Sequence, residues 1–156
     1  MKLPTALIAG LAIPLFAGFF VTLWLGVVAL IAAVGGWREL ARDYPDAGVA
    51  AGTAVKYRGA SIGFGSGPIS LGSYRNAVTV TIAATGFELR TMALFRFRHP
   101  PIAVPWDAVR QYQEGTTFGQ GWVNLEIANG QRLRVFGRAA TALASALAAA
   151  APSSKP

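Results

Sequence analysis

The chain contains no cysteine and a single histidine, His99. Without cysteine there is no disulfide framework, which suits a reducing compartment and equally a periplasm without disulfides. A metal centre built on cysteine or on several histidines is excluded by the same counts. Charge is also missing over one long stretch. Residues 3–37 form a run of 35 without a charged side chain, in which only Thr5 and Thr22 are polar. A helix needs about 20 apolar residues to cross the hydrocarbon core of a bilayer. The run is longer than that and has no polar face for water, so it predicts an integral N-terminal membrane anchor rather than a buried core helix. A secretory signal carries an apolar stretch of only about 7–15 residues before its cleavage site. Here the apolar character continues to Gly36.

Two arrangements of the anchor fit this length. In the first, a single tilted or kinked helix spans the bilayer over residues 15–34, with residues 3–14 as an apolar extension. In the second, two arms of about 16 residues form a hairpin turning at Pro14 and Gly18, each arm short for an average bilayer. The flank WRELARDYP places Trp37 and Tyr44 at headgroup depth, where amphipathic rings are favoured. The helix is expected to run on to Asp43 and to stop at Tyr44, because Pro45 disfavours a helical residue before it. Arg38, Arg42, Lys56 and Arg58 follow the run, and only Lys2 precedes it. That cationic excess predicts a cytoplasmic domain on the inner (plasma) membrane.

The net charge of +7 lies almost wholly outside the apolar run. Beside a bilayer, it points most simply to anionic lipid headgroups. A nucleic-acid partner is not expected, since there is no dense Lys/Arg block and no reading motif. About 110 residues follow Pro45, enough for one domain. The expected organisation is an anchor and juxtamembrane helix over residues 1–44, a turn-rich linker over 45–53, a folded domain over 54–151 and a disordered tail over 152–156.

Most of the domain alternates with period two. In residues 77–83, Val78, Val80 and Ile82 alternate with Thr79 and Thr81, as in a half-buried strand. A turn at 84–86 leads to a strand over 87–92. Residues 94–98 read as a further strand, with Phe95 and Phe97 on one face and Arg96 and Arg98 on the other. Residues 102–104 make a short strand closed by Pro105. Residues 106–112 then read as a turn or short helix that Asp107 is placed to cap. For the last hairpin, a two-residue Asn129-Gly130 loop would set Ile127 against Arg132. A three-residue loop of Ala128, Asn129 and left-handed Gly130 pairs Leu125 with Leu133 and Val123 with Val135, and it keeps the buried face consistent. Glu126 then faces Arg132. After Gly137 the alanine-rich stretch predicts a helix, with Leu143 and Leu147 beside Ala140 and Ala144 as the stripe that docks on the strands.

Antiparallel strands, an Ile-x-Val-Pro-Trp segment, a final hairpin and one C-terminal helix resemble a pleckstrin-homology-like (GRAM-like) domain. GWRELARDYP joined to FRFRHPPIAVPWDAV is similar to small uncharacterised bacterial membrane-anchored proteins, with Trp37, His99, Pro100, Pro101, Pro105 and Trp106 as the sharpest residues. The resemblance implies an N-terminal transmembrane helix plus an α+β soluble domain, an antiparallel β-barrel or sandwich capped by a C-terminal helix. It implies no activity, because that fold hosts unrelated functions. Lipid-binding members of the wider fold carry a basic signature around their first hairpin. Here that region offers Lys56 and Arg58 and then a glycine-rich loop, so no lipid site is carried over.

Catalytic, cofactor and metal residues are therefore expected to be absent. The glycine-rich residues 59–72 lack the Gly-Lys-Ser/Thr ending of a phosphate loop and read as a hairpin loop with a bulge at Gly59. The bulge accounts for Lys56 and Arg58 sharing sequence parity with Ile62 and Phe64. His99 reads first as the pin of a turn, bonded to backbone. As a general base it would need an acid such as Asp107 or Glu114. Trp106 is expected in the core, closing one end of the barrel. Of the basic residues, Arg90 among them, Arg96, Arg98, Arg132 and Arg134 are the candidate contacts for an anionic surface or an unknown protein partner, with the juxtamembrane Arg38 and Arg42 acting alongside them at an anionic leaflet. The expected role is a non-catalytic, membrane-anchored binding or scaffolding module. A structural subunit of a larger membrane complex is the alternative, and an enzyme using His99 comes last.

Overall fold

The structure, a computed structural model, describes residues 5–46, 53–65 and 72–150. Its first element is one continuous helix, α1, Thr5–Val34, with Pro14 inside it. The hairpin alternative is thereby set aside. Over residues 10–23 every side chain is exposed, and only then does the helix acquire a covered face. Trp24, Val28, Ile31, Ala32 and Gly35 recur at helical spacing along that face, with Val28 2% and Ala32 0% exposed.

The helix does not run on to Asp43 as expected. It breaks at Gly35 and Gly36, and a second helix, α2, occupies Trp37–Asp43. Both glycines are needed for this break. Gly36 has φ of 81°, a conformation costly for any residue with a Cβ. A Cβ on Gly35 would come within 2.8 Å of the Gly72 Cα, and one on Gly72 within 2.2 Å of the Gly35 carbonyl oxygen. The two backbones touch because neither residue has a side chain. The stop at Tyr44 is as expected.

Seven strands follow: β1 Val55–Phe64, β2 Ser73–Ala83, β3 Gly86–Thr91, β4 Ile102–Pro105, β5 Val109–Thr117, β6 Gln120–Ile127 and β7 Arg132–Phe136. They form one curled antiparallel sheet in the order β4-β3-β2-β1-β7-β6-β5. β1 is the shared central strand, and it changes face at Gly59, where φ is 68° and the register with β2 shifts. Lys56 and Arg58 are exposed before that bulge, while Ala60, Ile62 and Phe64 are buried after it. The β6–β7 hairpin takes the three-residue loop, with Gly130 at φ 85°, Leu125 opposite Leu133 and Val123 opposite Val135. Helix α3, Arg138–Ala150, lays Ala140, Leu143, Ala144 and Leu147 on the sheet. So short a helix is marginal alone and is held by that burial.

Three further expectations are corrected. Residues 94–98 are not a strand: Ala93–Phe95 form a 3₁₀ turn and the chain loops to β4. Arg96 and Arg98 therefore do not share a sheet face. Residues 109–112 belong to the edge strand β5, and the preceding 3₁₀ turn Trp106–Ala108 has no side-chain cap from Asp107. Trp37 does not lie at a water interface, since it is 0% exposed in the sheet's core with Leu40 beside it. The short helix α2 thus packs as part of the domain. Pro45 bridges Ile102, and the Tyr44 carbonyl accepts from the Ala103 N–H at 3.1 Å, which covers the β4 edge. Within the glycine-rich segment β1 extends to Phe64, and residues 66–71 lie outside the described ones, as does the expected tail over 152–156.

Trp106 is half-buried, with its ring 5.7 Å from Phe87 and its indole N–H donating to the Ala84 carbonyl at 3.0 Å. It closes the core less completely than expected. Trp37→Ala is expected to cost about 3–5 kcal/mol, because it empties a fully buried site and leaves the Pro100 carbonyl without its donor. Trp106→Ala should cost distinctly less. Denaturant unfolding of the full chain in detergent checks both, and a larger loss at Trp106 would contradict the packing.

Candidate functional site

The site begins with the spacing of α2. Trp37, Leu40 and Ala41 face the core, which turns Arg38 and Arg42, four residues apart, outward on one face. The loop between β3 and β4 meets them. Its left-handed residue is Arg98, at φ 58°, and it is held on both sides. The Trp37 indole N–H donates to the Pro100 carbonyl at 2.9 Å. The His99 backbone N–H donates to the Arg96 carbonyl at 3.0 Å. Arg38, Ala41, Arg42, Arg98 and Pro100 then line one open cleft of about 310 Å³.

His99 is the pin of this loop. Its ring is buried, with Nδ1 2.9 Å from the Phe97 carbonyl and Nε2 2.8 Å from the Tyr74 hydroxyl. A carbonyl only accepts, so Nδ1–H is the donor and Nε2 accepts from Tyr74. The rings of Trp37 and Tyr74 stand against it, 5.3 Å and 5.4 Å from the imidazole, and Phe64 packs on both of them. Burial pushes the His99 imidazole below its ordinary 6.5, against a smaller upward pull from the Phe97 and Phe95 carbonyls. Burial likewise pushes the Tyr74 phenol up. The pair is neutral and both ring nitrogens are engaged. Asp107 lies in the turn before β5 and Glu114 sits on β5 opposite Val123, and neither bonds the ring.

The arginines separate into distinct groups. Arg98 joins Arg38 and Arg42, and its guanidinium lies 5.9 Å from the Phe97 ring centroid. Arg96 is exposed on the same loop. Arg132 and Arg134 line a different cleft, on the outer face of β5–β7, of about 260 Å³. There Arg132 pairs with Glu126 at 3.6 Å, and Arg134 bonds Asn124 and lies over the Trp122 ring. Arg90 is committed to Glu88 and to Asp46. Among the described residues, no group of three or more His, Asp or Glu side chains is placed to hold a metal ion.

No family model matches the chain, and no curated protein matches it as a relative.

Three guanidinium groups around an open cleft can attract and fork onto an anion. The chemistry available is recognition of phosphate or carboxylate. Arg38 and Arg42 enter the sequence argument through the orientation of the anchor and as juxtamembrane cations near an anionic leaflet, not as companions of Arg98 in one cleft. Their meeting with Arg98 depends on α2 docking, which no local pattern signals. The Tyr74–His99 pair has no signal either, since the partners lie 25 residues apart.

Because the folded ring resists protonation, stability is complete above the unfolded-chain value of 6.5 and falls as pH drops through it towards the lower folded value. The unfolded chain binds the proton that the folded chain refuses. His99→Gln should remove this part of the pH slope, whatever it costs at neutral pH. Unfolding curves of both proteins across that range check it, and parallel pH dependences would contradict the neutral, buried assignment.

Proposed function

We propose that this chain is a non-catalytic binding or scaffolding module of the pleckstrin-homology-like class. It is anchored by α1 in a bacterial inner membrane with its domain on the cytoplasmic side. The observation that carries this is the junction. An apolar helix whose candidate span is Gly10–Val34, 25 residues of mean hydropathy 2.4, leads through two glycines into the arginine face of α2. Arg38, Arg42 and Arg98 gather where that helix meets the domain. Juxtamembrane cations of this kind favour retention on the cytoplasmic side. They also attract anionic headgroups, at about 1 kcal/mol per residue near the surface. The cleft is therefore read as a contact for phosphate-bearing lipid headgroups at the foot of the domain.

A subunit role in a larger complex draws on a different feature. Phe118, at the β5–β6 turn, is fully exposed, as an anchor for a protein partner would be.

A reporter fused after Pro156 should be active only if it functions in the cytoplasm. Arg38→Glu with Arg42→Glu should reduce that bias. Strong alkaline phosphatase activity from the unmutated fusion would overturn the assignment. For the headgroup contact, the full chain in nanodiscs should melt at a higher temperature in anionic than in neutral lipid. That difference should shrink with salt, since the Debye length is about 8 Å at physiological ionic strength. It should also shrink in the Arg38→Ala, Arg42→Ala, Arg98→Ala variant. Equal melting in both lipids would leave a protein partner as the cleft's ligand.

A further inference from the structure

Two apolar surfaces stand uncovered beside α1. One is the loop between β3 and β4, where Met92, Leu94 and Phe97 are 51%, 65% and 45% exposed. The other is the side of α1 away from the domain, where Leu30 is 62% and Val34 56% exposed. The loop touches the helix at Trp24: the Phe95 and Trp24 rings are 5.5 Å apart, and the Trp24 indole N–H points at the Leu94 carbonyl at 3.5 Å. Trp24 precedes Val34 by ten residues (34 − 24), about 15 Å along a helix.

No upright placement of α1 suits both surfaces. With the hydrocarbon boundary at Val34, the Leu94–Phe95 end of the loop would lie near the bilayer midplane and draw Arg96 below the boundary, which is costly for an isolated cation. With the boundary at Trp24, Leu30 and Val34 would stand bare in water. Tilt removes the conflict. The 25 residues of Gly10–Val34 alone extend about 37 Å, already longer than a hydrocarbon core of about 30 Å. A span longer than the core is accommodated by tilting, and tilts of up to about 40° occur.

We propose that α1 crosses the bilayer tilted with its domain-bearing face uppermost, and that residues 92–98 are a second membrane contact, lying in the boundary between acyl chains and headgroups. Met92, Leu94 and Phe97 enter the acyl region, and Arg96 and Arg98 stay at phosphate level beside the cleft of Arg38 and Arg42. Leu30 and Val34, on the underside of the tilted helix, are covered by lipid. The loop backbone tolerates this depth because its turn is internally bonded. The Phe95 N–H donates to the Met92 carbonyl at 2.9 Å and the Arg96 N–H to the Ala93 carbonyl at 3.3 Å. The bilayer is the occupant of the loop because the loop is continuous with the span at Trp24 and its arginines complement anionic phosphates. This second contact rests on the anchoring proposed above.

The absence of native cysteine allows the test on the full chain. Single variants Leu94→Cys, Met92→Cys and Phe19→Cys are labelled with an environment-sensitive fluorophore and reconstituted in phosphatidylcholine–phosphatidylglycerol vesicles. Spin labels shallow or deep in the acyl chains, and aqueous iodide, serve as quenchers. Phe19, 66% exposed within α1, reports on the anchor itself. The expected result is that Leu94 and Met92 lose most of their emission to the shallow label and are shielded from iodide, while the deep label quenches Phe19. If Phe19 is quenched but Leu94 and Met92 answer only to iodide, the loop contact is wrong and the anchor stands. If Phe19 also answers only to iodide, the anchoring fails and the loop contact with it.

Discussion

The burial of Trp37 is the constraint on which the rest depends. An indole that follows a long apolar helix would ordinarily rest among headgroups. Here it is wholly enclosed by the sheet and donates to the Pro100 carbonyl at 2.9 Å. To reach that position the chain must leave α1 abruptly, and the left-handed turn at Gly36 provides the change of direction. The contact of Gly35 with Gly72 lets the helix end and the start of β2 meet backbone to backbone. Around the indole, Phe64, Tyr74 and His99 come from β1, β2 and the β3–β4 loop. One side chain thus ties the apolar helix to three separate parts of the sheet domain.

The arginine cleft follows from the same contact. Trp37 inward sets Arg38 and Arg42 outward, and its bond to Pro100 holds the loop that delivers Arg98. The β6–β7 turn adds a second clasp, with Asn129 bonding Asp43 at 2.7 Å and Gln131 reaching the Gly36 carbonyl at 3.4 Å. His99 contributes as a neutral strut between Tyr74 and Phe97. Its chemistry lies in being buried and doubly bonded. The proposed headgroup contact is accordingly a surface made by packing, with each cation placed by a neighbouring residue in the core.

What was legible in the sequence was local. Alternation in residues 77–83 gave β2, and the conflict between Ile127 and Arg132 chose the three-residue loop over the two-residue one. Parity between Lys56, Arg58, Ile62 and Phe64 revealed the bulge at Gly59, and the Leu143–Leu147 stripe placed α3. The failures came where a local pattern competed with a distant contact. FRFR alternates like a strand, yet Phe95 is drawn to Trp24 and His99 to Tyr74, so the segment turns. The polar residues 109–117 carry little apolar alternation because β5 is an edge strand, exposed along most of its length. Trp37 looks interfacial from its neighbours, and only the sheet's tertiary packing takes it inside. The candidate site was correspondingly half visible: Arg98, Arg38 and Arg42 all read as cations near an anionic surface, but no local pattern joined them into one cleft.

If Trp37 makes the end of α1, α2 and the sheet one cooperative body, they must open together. Native-state hydrogen exchange on the full chain in detergent measures this directly, because locally opening segments exchange at lower free energy than the global core. The Trp37 indole N–H and the Leu40 amide, bonded to the Gly36 carbonyl at 3.1 Å, should exchange with the same free energy and denaturant dependence as the amides of Val80 and Leu125. Exchange of Trp37 and Leu40 through a separate, low-energy opening while the strands stay protected would contradict the account. It would mean that the helix is only tethered to the domain.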